Sequence, residues 1–108
     1  MIIKPGASIE GCRPEILIAA ITIIEPVFIG YGVECVVTSG TEKYKHSAKR
    51  STHYKGDALD FRSRELPDTH KREVATLLQN QLGKHFVVVL ESNHLHIHYA
   101  PVYEAQDG

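Results

Sequence analysis

The chain has 108 residues, of which 43% are hydrophobic and 23% are charged, and its formal net charge is −1. This length predicts one globular domain covering residues 1–108, and the small net charge argues against nucleic acid as a partner. No apolar run reaches the roughly 20 residues of a membrane-spanning helix, and the first residues lack the pattern of a secretory signal peptide. Cys12 and Cys35 are too few and too far apart for a disulfide framework, so we expect two reduced, buried thiols.

The first third of the chain predicts an irregular segment, a buried helix and a strand. Residues 1–12 show no periodicity, whereas Pro14 and Glu15 suit the first turn of a helix. The apolar residues that follow recur almost all round this helix, which predicts burial on every side. Pro26 is expected to kink the helix or end it early, and residues 33–38 are expected to form a strand. These apolar residues are Ile16, Leu17, Ile18, Ala20, Ile21, Ile23, Ile24, Val27 and Phe28.

The rest of the chain predicts a long polar loop over residues 40–55, then three strands and a second helix. Strands are expected at 58–62, 86–90 and 94–99, and a helix is expected to begin near Asp68 and end at Gly83. The continuous apolar run of the second of these strands is typical of a strand buried on both faces. This order of elements predicts an α+β domain with two main helices packed against an antiparallel sheet.

One short segment contains residues suited to catalysis: Ser-Thr-His-Tyr-Lys-Gly-Asp-Ala-Leu-Asp, residues 51–60. It places His53 and Asp60 an odd number of positions apart, so one straight strand would not present both on the same face. Gly56 lets the chain turn between them. Asp60 then faces a cleft, while its two apolar neighbours on the strand point into the core.

A second segment near the C-terminus is rich in histidine. His94, His96 and His98 alternate with apolar residues and therefore share one face of the predicted strand. Catalytic zinc is commonly held by three histidine or carboxylate ligands, with water in the fourth position, and the metal lowers the pKa of that water. The two segments are therefore predicted to meet around one zinc ion.

The pattern Ser-x-His-x-x-Gly-x-Ala-x-Asp followed by His-x-His resembles peptidase family M15. That family contains D-alanyl-D-alanine carboxypeptidases and L-alanyl-D-glutamate endopeptidases, shares the hedgehog/DD-peptidase fold, and includes short phage-type members that are most similar to this chain. The resemblance covers residues 33–101. It implies one Zn²⁺ per chain held by His53, Asp60 and His96, with His94 beside the metal to hold or polarise the substrate.

The general base is the point at which this sequence departs from many family members. They carry an acidic residue three positions before the ligand histidine, where this chain has Asn93, which does not accept a proton usefully. Glu91 is the nearest carboxylate. If His94 were the third ligand in place of His96, Glu91 would fit the Glu-x-x-His form of other members. We therefore interpret Glu91 and His94 as the catalytic residues and expect His98 to lie outside the ligand set.

The resemblance implies a zinc-dependent peptidase that hydrolyses peptidoglycan stem peptides, as an L-alanyl-D-glutamate endopeptidase or a D,D-carboxypeptidase. Basic residues in the polar loop suit a substrate with free carboxylates, and Arg50 and Ser51 are the expected substrate contacts. Without a signal peptide, such an enzyme would be made in the cytoplasm and reach the wall through phage lysis or another route. Asn93 keeps open a second function, that of a catalytically impaired module that retains metal and binds the wall or serves a structural role.

Overall fold

The computed structural model of the chain describes residues 1–42 and 55–102. These residues contain five strands: β1 (Ile2–Ile3), β2 (Val36–Ser39), β3 (Ala58–Arg62), β4 (Phe86–Leu90) and β5 (His94–Tyr99). The strands form one sheet in the order β1-β2-β3-β5-β4. The prediction of an α+β domain is confirmed. The sheet is antiparallel between all neighbours, as predicted, except β1 and β2, which are parallel and make it a mixed sheet. The difference arises because the start of the expected irregular segment extends beside β2, where the Ile2 amide donates to the Cys35 carbonyl.

Two helical segments pack against this sheet. The first is continuous and consists of α1 (Pro14–Ala19), a π-helical turn (Ala20–Ile24) and α2 (Glu25–Gly30), and the second is α3 (Asp68–Leu82). The π-helical turn lies directly before Pro26, whose ring would clash with the carbonyl four residues back in a regular α-helix. The expected distortion at Pro26 is therefore present as a widened turn, and the helix continues beyond it. Within the described ranges, neither helical segment is both long and apolar enough to cross a membrane.

The hydrophobic core lies between the helices and one face of the sheet. Leu59 and Phe61 on β3 and Leu95 and Ile97 on β5 are fully buried in one cluster with side chains from both helical segments. The predicted alternation along these two strands is thus confirmed. Because successive strand residues point to opposite faces, Asp60 and the histidines of β5 lie on the sheet face away from the helices.

Two predictions of complete burial are wrong. Ile18, Ile21 and Ile29 of the N-terminal helical segment are each more than half exposed, because only one side of this segment meets the sheet. Val87 and Val89 are also exposed, since β4 is the last strand of the sheet and only one of its faces packs against the core. A continuous apolar run therefore marks an edge strand here.

Both cysteines are free thiols, as predicted. Cys35 is buried in the core, whereas Cys12 is only half-buried. Burial raises the pKa of the Cys35 thiol to about 12 and that of the Cys12 thiol to about 11. Both side chains are consequently neutral and weakly nucleophilic at physiological pH.

Candidate metal centre

Asp60 and His96 are direct partners across the β3–β5 ladder. Their side chains therefore emerge on the same face at neighbouring positions, and Asp60 Oδ1 lies 2.9 Å from His96 Nδ1. Only 2% of Asp60 is exposed. A buried carboxylate is tolerated when it is hydrogen-bonded, and His96 supplies such a contact. The predicted meeting of the two sequence segments is thus observed for this pair.

His94 lies on the same face, with its Nε2 atom 3.7 Å from Asp60 Oδ2. Its other ring nitrogen, Nδ1, lies 2.6 Å from Asn93 Oδ1. A hydrogen bond from Nδ1–H to the Asn93 oxygen leaves Nε2 with its lone pair beside Asp60. Sequence reasoning treated Asn93 only as a missing base; its role in orienting His94 depends on the geometry of the β4–β5 turn, which has no sequence signature.

His98 contacts the site through His96. The Nδ1 atom of His98 lies 3.1 Å from His96 Nε2, and the two rings are 5.2 Å apart between centroids. Asp60, His96 and His98 therefore form a hydrogen-bonded row that crosses from β3 to β5 and continues along β5. His98 is thus adjacent to the predicted ligand His96.

These residues fit part of a zinc site. Bonds of about 2.0–2.2 Å to a tetrahedral zinc ion separate two ligand atoms by about 3.3–3.5 Å. The distance of 3.7 Å between Asp60 Oδ2 and His94 Nε2 is close to that value. In the part of the chain that the structure describes, no group of three or more His, Cys, Asp or Glu side chains is arranged to hold a metal ion. Three predicted site residues, His53, Arg50 and Ser51, lie outside the described residues.

The carboxylate of Glu42 fixes the chain where the segment 43–54 begins. It accepts hydrogen bonds from the Ser8 amide at 2.9 Å, from the Gly40 amide at 2.6 Å and from the Ser39 hydroxyl. Burial alone would raise the pKa of Glu42, but these hydrogen bonds outweigh burial and lower the pKa below its usual range. The end of β2 is therefore tied to the irregular residues 4–13, which we call the arm.

The arm also fixes the chain where the segment 43–54 has ended. The Arg13 amide donates to the Gly56 carbonyl at 2.9 Å, and the Arg13 guanidinium lies 3.4 Å from Asp57 and 5.0 Å from the centre of the Tyr99 ring. Gly56 has a φ of +77° and its backbone packs closely against Gly11, so the predicted turn at Gly56 is confirmed. The irregular segment was predicted from the sequence, but its contacts were not, because backbone and isolated side chains without periodicity make them.

Glu91, the predicted base, lies in the turn between β4 and β5. Its amide donates to the His94 carbonyl at 2.9 Å, and its side chain is exposed. Glu91 continues the strand alternation of Val87 and Val89, which places it on the histidine face. Among residues 1–42 and 55–102, no hydrogen bond or ion pair joins the Glu91 carboxylate to the site.

The fold defines a small α+β protein with a buried carboxylate and three histidines on the sheet face away from its helices. Comparisons with family models, with curated proteins and with solved structures found no match to this chain. Because one fold can host many functions, a function for this chain has to follow from the chemistry of its site.

Proposed function

We propose that the chain is a zinc-dependent peptidase that hydrolyses amide bonds in peptidoglycan stem peptides. The observation that carries the proposal is the pairing of Asp60 with His96 across the sheet, with His94 Nε2 only 3.7 Å from the same carboxylate. A bound zinc ion would supply a polarised carbonyl and a water of lowered pKa. The resemblance of the sequence motif to family M15 supplies the substrate class.

Each residue of the site has a distinct part in this proposal. Asp60 and one histidine of β5, together with His53, hold the metal. Asn93 keeps the Nε2 atom of His94 directed at Asp60, so His94 either completes the ligand set or holds the substrate carbonyl. Glu91 stands at the turn beside His94 and transfers the proton to the leaving amine.

A second function is favoured by the surroundings of the predicted base. The Glu91 side chain is exposed, and the amide oxygen of Asn93 is engaged by His94. A domain with this arrangement could hold zinc and bind cell wall without turnover. The two functions share the metal and differ in whether a peptide bond is cut.

One experiment tests the metal and the reaction together. The purified chain should contain about one zinc ion, as a site with three protein ligands requires, and Asp60→Ala should lose it. His70→Ala is the matched control, because His70 is exposed on α3. Loss of zinc from His94→Ala or from His96→Ala identifies the third ligand. A wild-type chain without zinc would contradict the proposal.

The same protein is then incubated with purified peptidoglycan, and the new ends are identified by mass spectrometry. New L-alanine carboxyl ends with new D-glutamate amines indicate the endopeptidase, which we expect. Free D-alanine indicates the carboxypeptidase. A zinc-loaded chain that creates no new ends is the binding module, and the peptidase is then wrong.

A further inference from the structure

The site residues Asp60 and His94 line a cleft with a volume of about 450 Å³. The rest of its wall is strongly basic. Lys4, Arg62 and Arg64 all line the cleft, and the intervening surface is formed by polar side chains of β2 and the β4–β5 turn. The cleft therefore contains a carboxylate, a histidine and three cations.

The sheet itself brings Arg62 and Lys4 to this cleft. Arg62 follows Asp60 by two positions on β3, so both side chains are on one face, and Arg62 is the cross-strand partner of His94. Lys4 directly follows β1, where its amide donates to the Val37 carbonyl at 2.9 Å. Val37 pairs with Ile3 on one side and with Phe61 on the other, and Lys4 and Arg62 extend from that level in opposite directions. Their backbones are therefore separated by two strand spacings across the sheet and two positions along it, about 12 Å. Both side chains line the cleft.

Acidic side chains neutralise these three cations only in part. Glu65 lies 3.6 Å from Arg62 and 3.1 Å from Arg64, and it is the carboxylate that contacts them. Glu65 is itself substantially exposed, so its ion pairs are screened and easily exchanged for those of an incoming anion. Lys4 has no carboxylate within ion-pair distance among the residues that the structure describes. The three cations thus retain net positive charge that can pair with a ligand.

We propose that Lys4, Arg62 and Arg64 form a subsite for a carboxylate of an acidic peptide. The half-buried guanidinium of Arg62 makes the principal contact, because a planar guanidinium binds a carboxylate through two parallel hydrogen bonds. Arg62 lies two positions after Asp60 on the strand, which separates them by about 7 Å. The bound carboxylate therefore belongs to the residue next to the amide at the metal site. This inference names the substrate class of the proposed peptidase and rests on that function, but the binding itself needs neither metal nor turnover.

The test is an NMR titration of the full chain with N-acetyl-L-alanyl-D-glutamate and with its uncharged diamide, each with zinc and with a chelator. We expect the diacid to bind at least about tenfold more tightly than the diamide under both conditions, because only the diacid pairs with the cations. Arg62→Gln should abolish this preference, Arg62→Lys should restore part of it, and Lys4→Gln should weaken it. Lys4 is exposed, so its substitution tests the subsite even if an Arg62 variant fails to fold.

Two exposed cations distant from the cleft provide matched controls, Arg72→Gln on α3 and Lys84→Gln after it, and both should bind as the wild type does. Equal affinity for the diacid and the diamide would overturn the subsite, as would an unchanged preference in Arg62→Gln. If the chain prefers the diacid but leaves peptidoglycan intact, the subsite is supported and the proposed peptidase activity is wrong. If the chain digests peptidoglycan but does not prefer the diacid, only the subsite is wrong.

Discussion

Asp60 is a nearly inaccessible carboxylate, and strand pairing places His96 directly beside it. Removing an ionised carboxylate from water is costly unless hydrogen bonds or opposite charges compensate for it. His96 contributes a contact at 2.9 Å, and the His94 ring stands 3.7 Å from the other carboxylate oxygen. A residue of this type at this depth is seldom retained for stability, since an apolar side chain would fit a sheet more cheaply.

The sequence allowed the shared face of these residues to be predicted, because a period of two assigns each strand residue to a face. It did not allow the pairing of Asp60 with His96 to be predicted, because register depends on residues distant in the chain. The contact between Asn93 and His94 and the role of Glu42 depend on turn geometry, which local sequence does not encode, so neither could be predicted.

Glu42 provides a test of stability at this scale. At neutral pH we expect Glu42→Gln to lower the free energy of unfolding by about 1–2 kcal/mol, because a half-buried amide replaces a carboxylate that accepts three hydrogen bonds. The pKa of Glu42 is lowered in the folded chain, so the carboxylate stabilises the fold above its ordinary pKa of 4.5. That stabilisation is lost as the pH falls below 4.5 and passes through the folded-state pKa.

Urea unfolding at pH 7 and at a series of lower pH values measures this effect. The difference between wild type and Glu42→Gln should shrink as the pH falls. Glu10→Gln is the control, since Glu10 is exposed in the same arm. A constant difference across the whole pH range would show that the Glu42 hydrogen bonds do not depend on its charge.

Among the elements, the arm contacts the chain on both sides of the segment 43–54, although its own backbone is irregular. Ser8 contacts the chain before the segment 43–54, and Gly11 and Arg13 contact it after the segment. The predicted ligand His53 belongs to that segment. The arm therefore constrains both ends of the segment that contains this predicted ligand.

Substitution of Gly56 tests whether the arm is required. Gly56→Ala adds a Cβ atom 2.5 Å from the Gly11 carbonyl oxygen at a φ of +77°, whereas Gly32→Ala adds one at +73° in open space. We expect Gly32→Ala to cost about 1–2 kcal/mol from its backbone conformation alone. Gly56→Ala should cost about 1–3 kcal/mol more, because the arm has to move away.

Chemical denaturation of the two variants isolates the clash, since the backbone strain is matched between them. Equal losses of stability would mean that the arm yields at no cost and does not constrain the chain at Gly56. A larger loss in Gly56→Ala, with the core spectrum retained, would show that the arm is a separate unit of stability.

Element types were more predictable than element environments. The bounds of β3, α3, β4 and β5 follow from periodicity, proline and glycine signals, and the structure confirms them. The exposure of β4 and of three isoleucines in the N-terminal helical segment could not be predicted, because it depends on which strand ends the sheet and which helix face meets it. Local sequence does not encode either fact.

For the whole molecule, the sheet separates the hydrophobic core from the candidate site. The helices and the core lie on one face, and Asp60, Arg62 and the histidines lie on the other. The site is placed on β3 and β5, which have neighbours on both sides, while β1 and β4 occupy the edges. Asp60 and His96 therefore remain adjacent while β3 and β5 are paired, even if an edge strand frays.

The two thiols make the order of unfolding events measurable. Cys12 belongs to the arm and Cys35 to the core, and their raised pKa values of about 11 and about 12 suppress alkylation in the folded chain. Each thiol therefore reacts at the rate at which its own surroundings open, provided that the reagent is fast. With iodoacetamide at pH 8 and mass detection over time, we expect Cys12 to be modified first and Cys35 only at the rate of global unfolding. Simultaneous modification would mean that the arm and the core open in a single cooperative step.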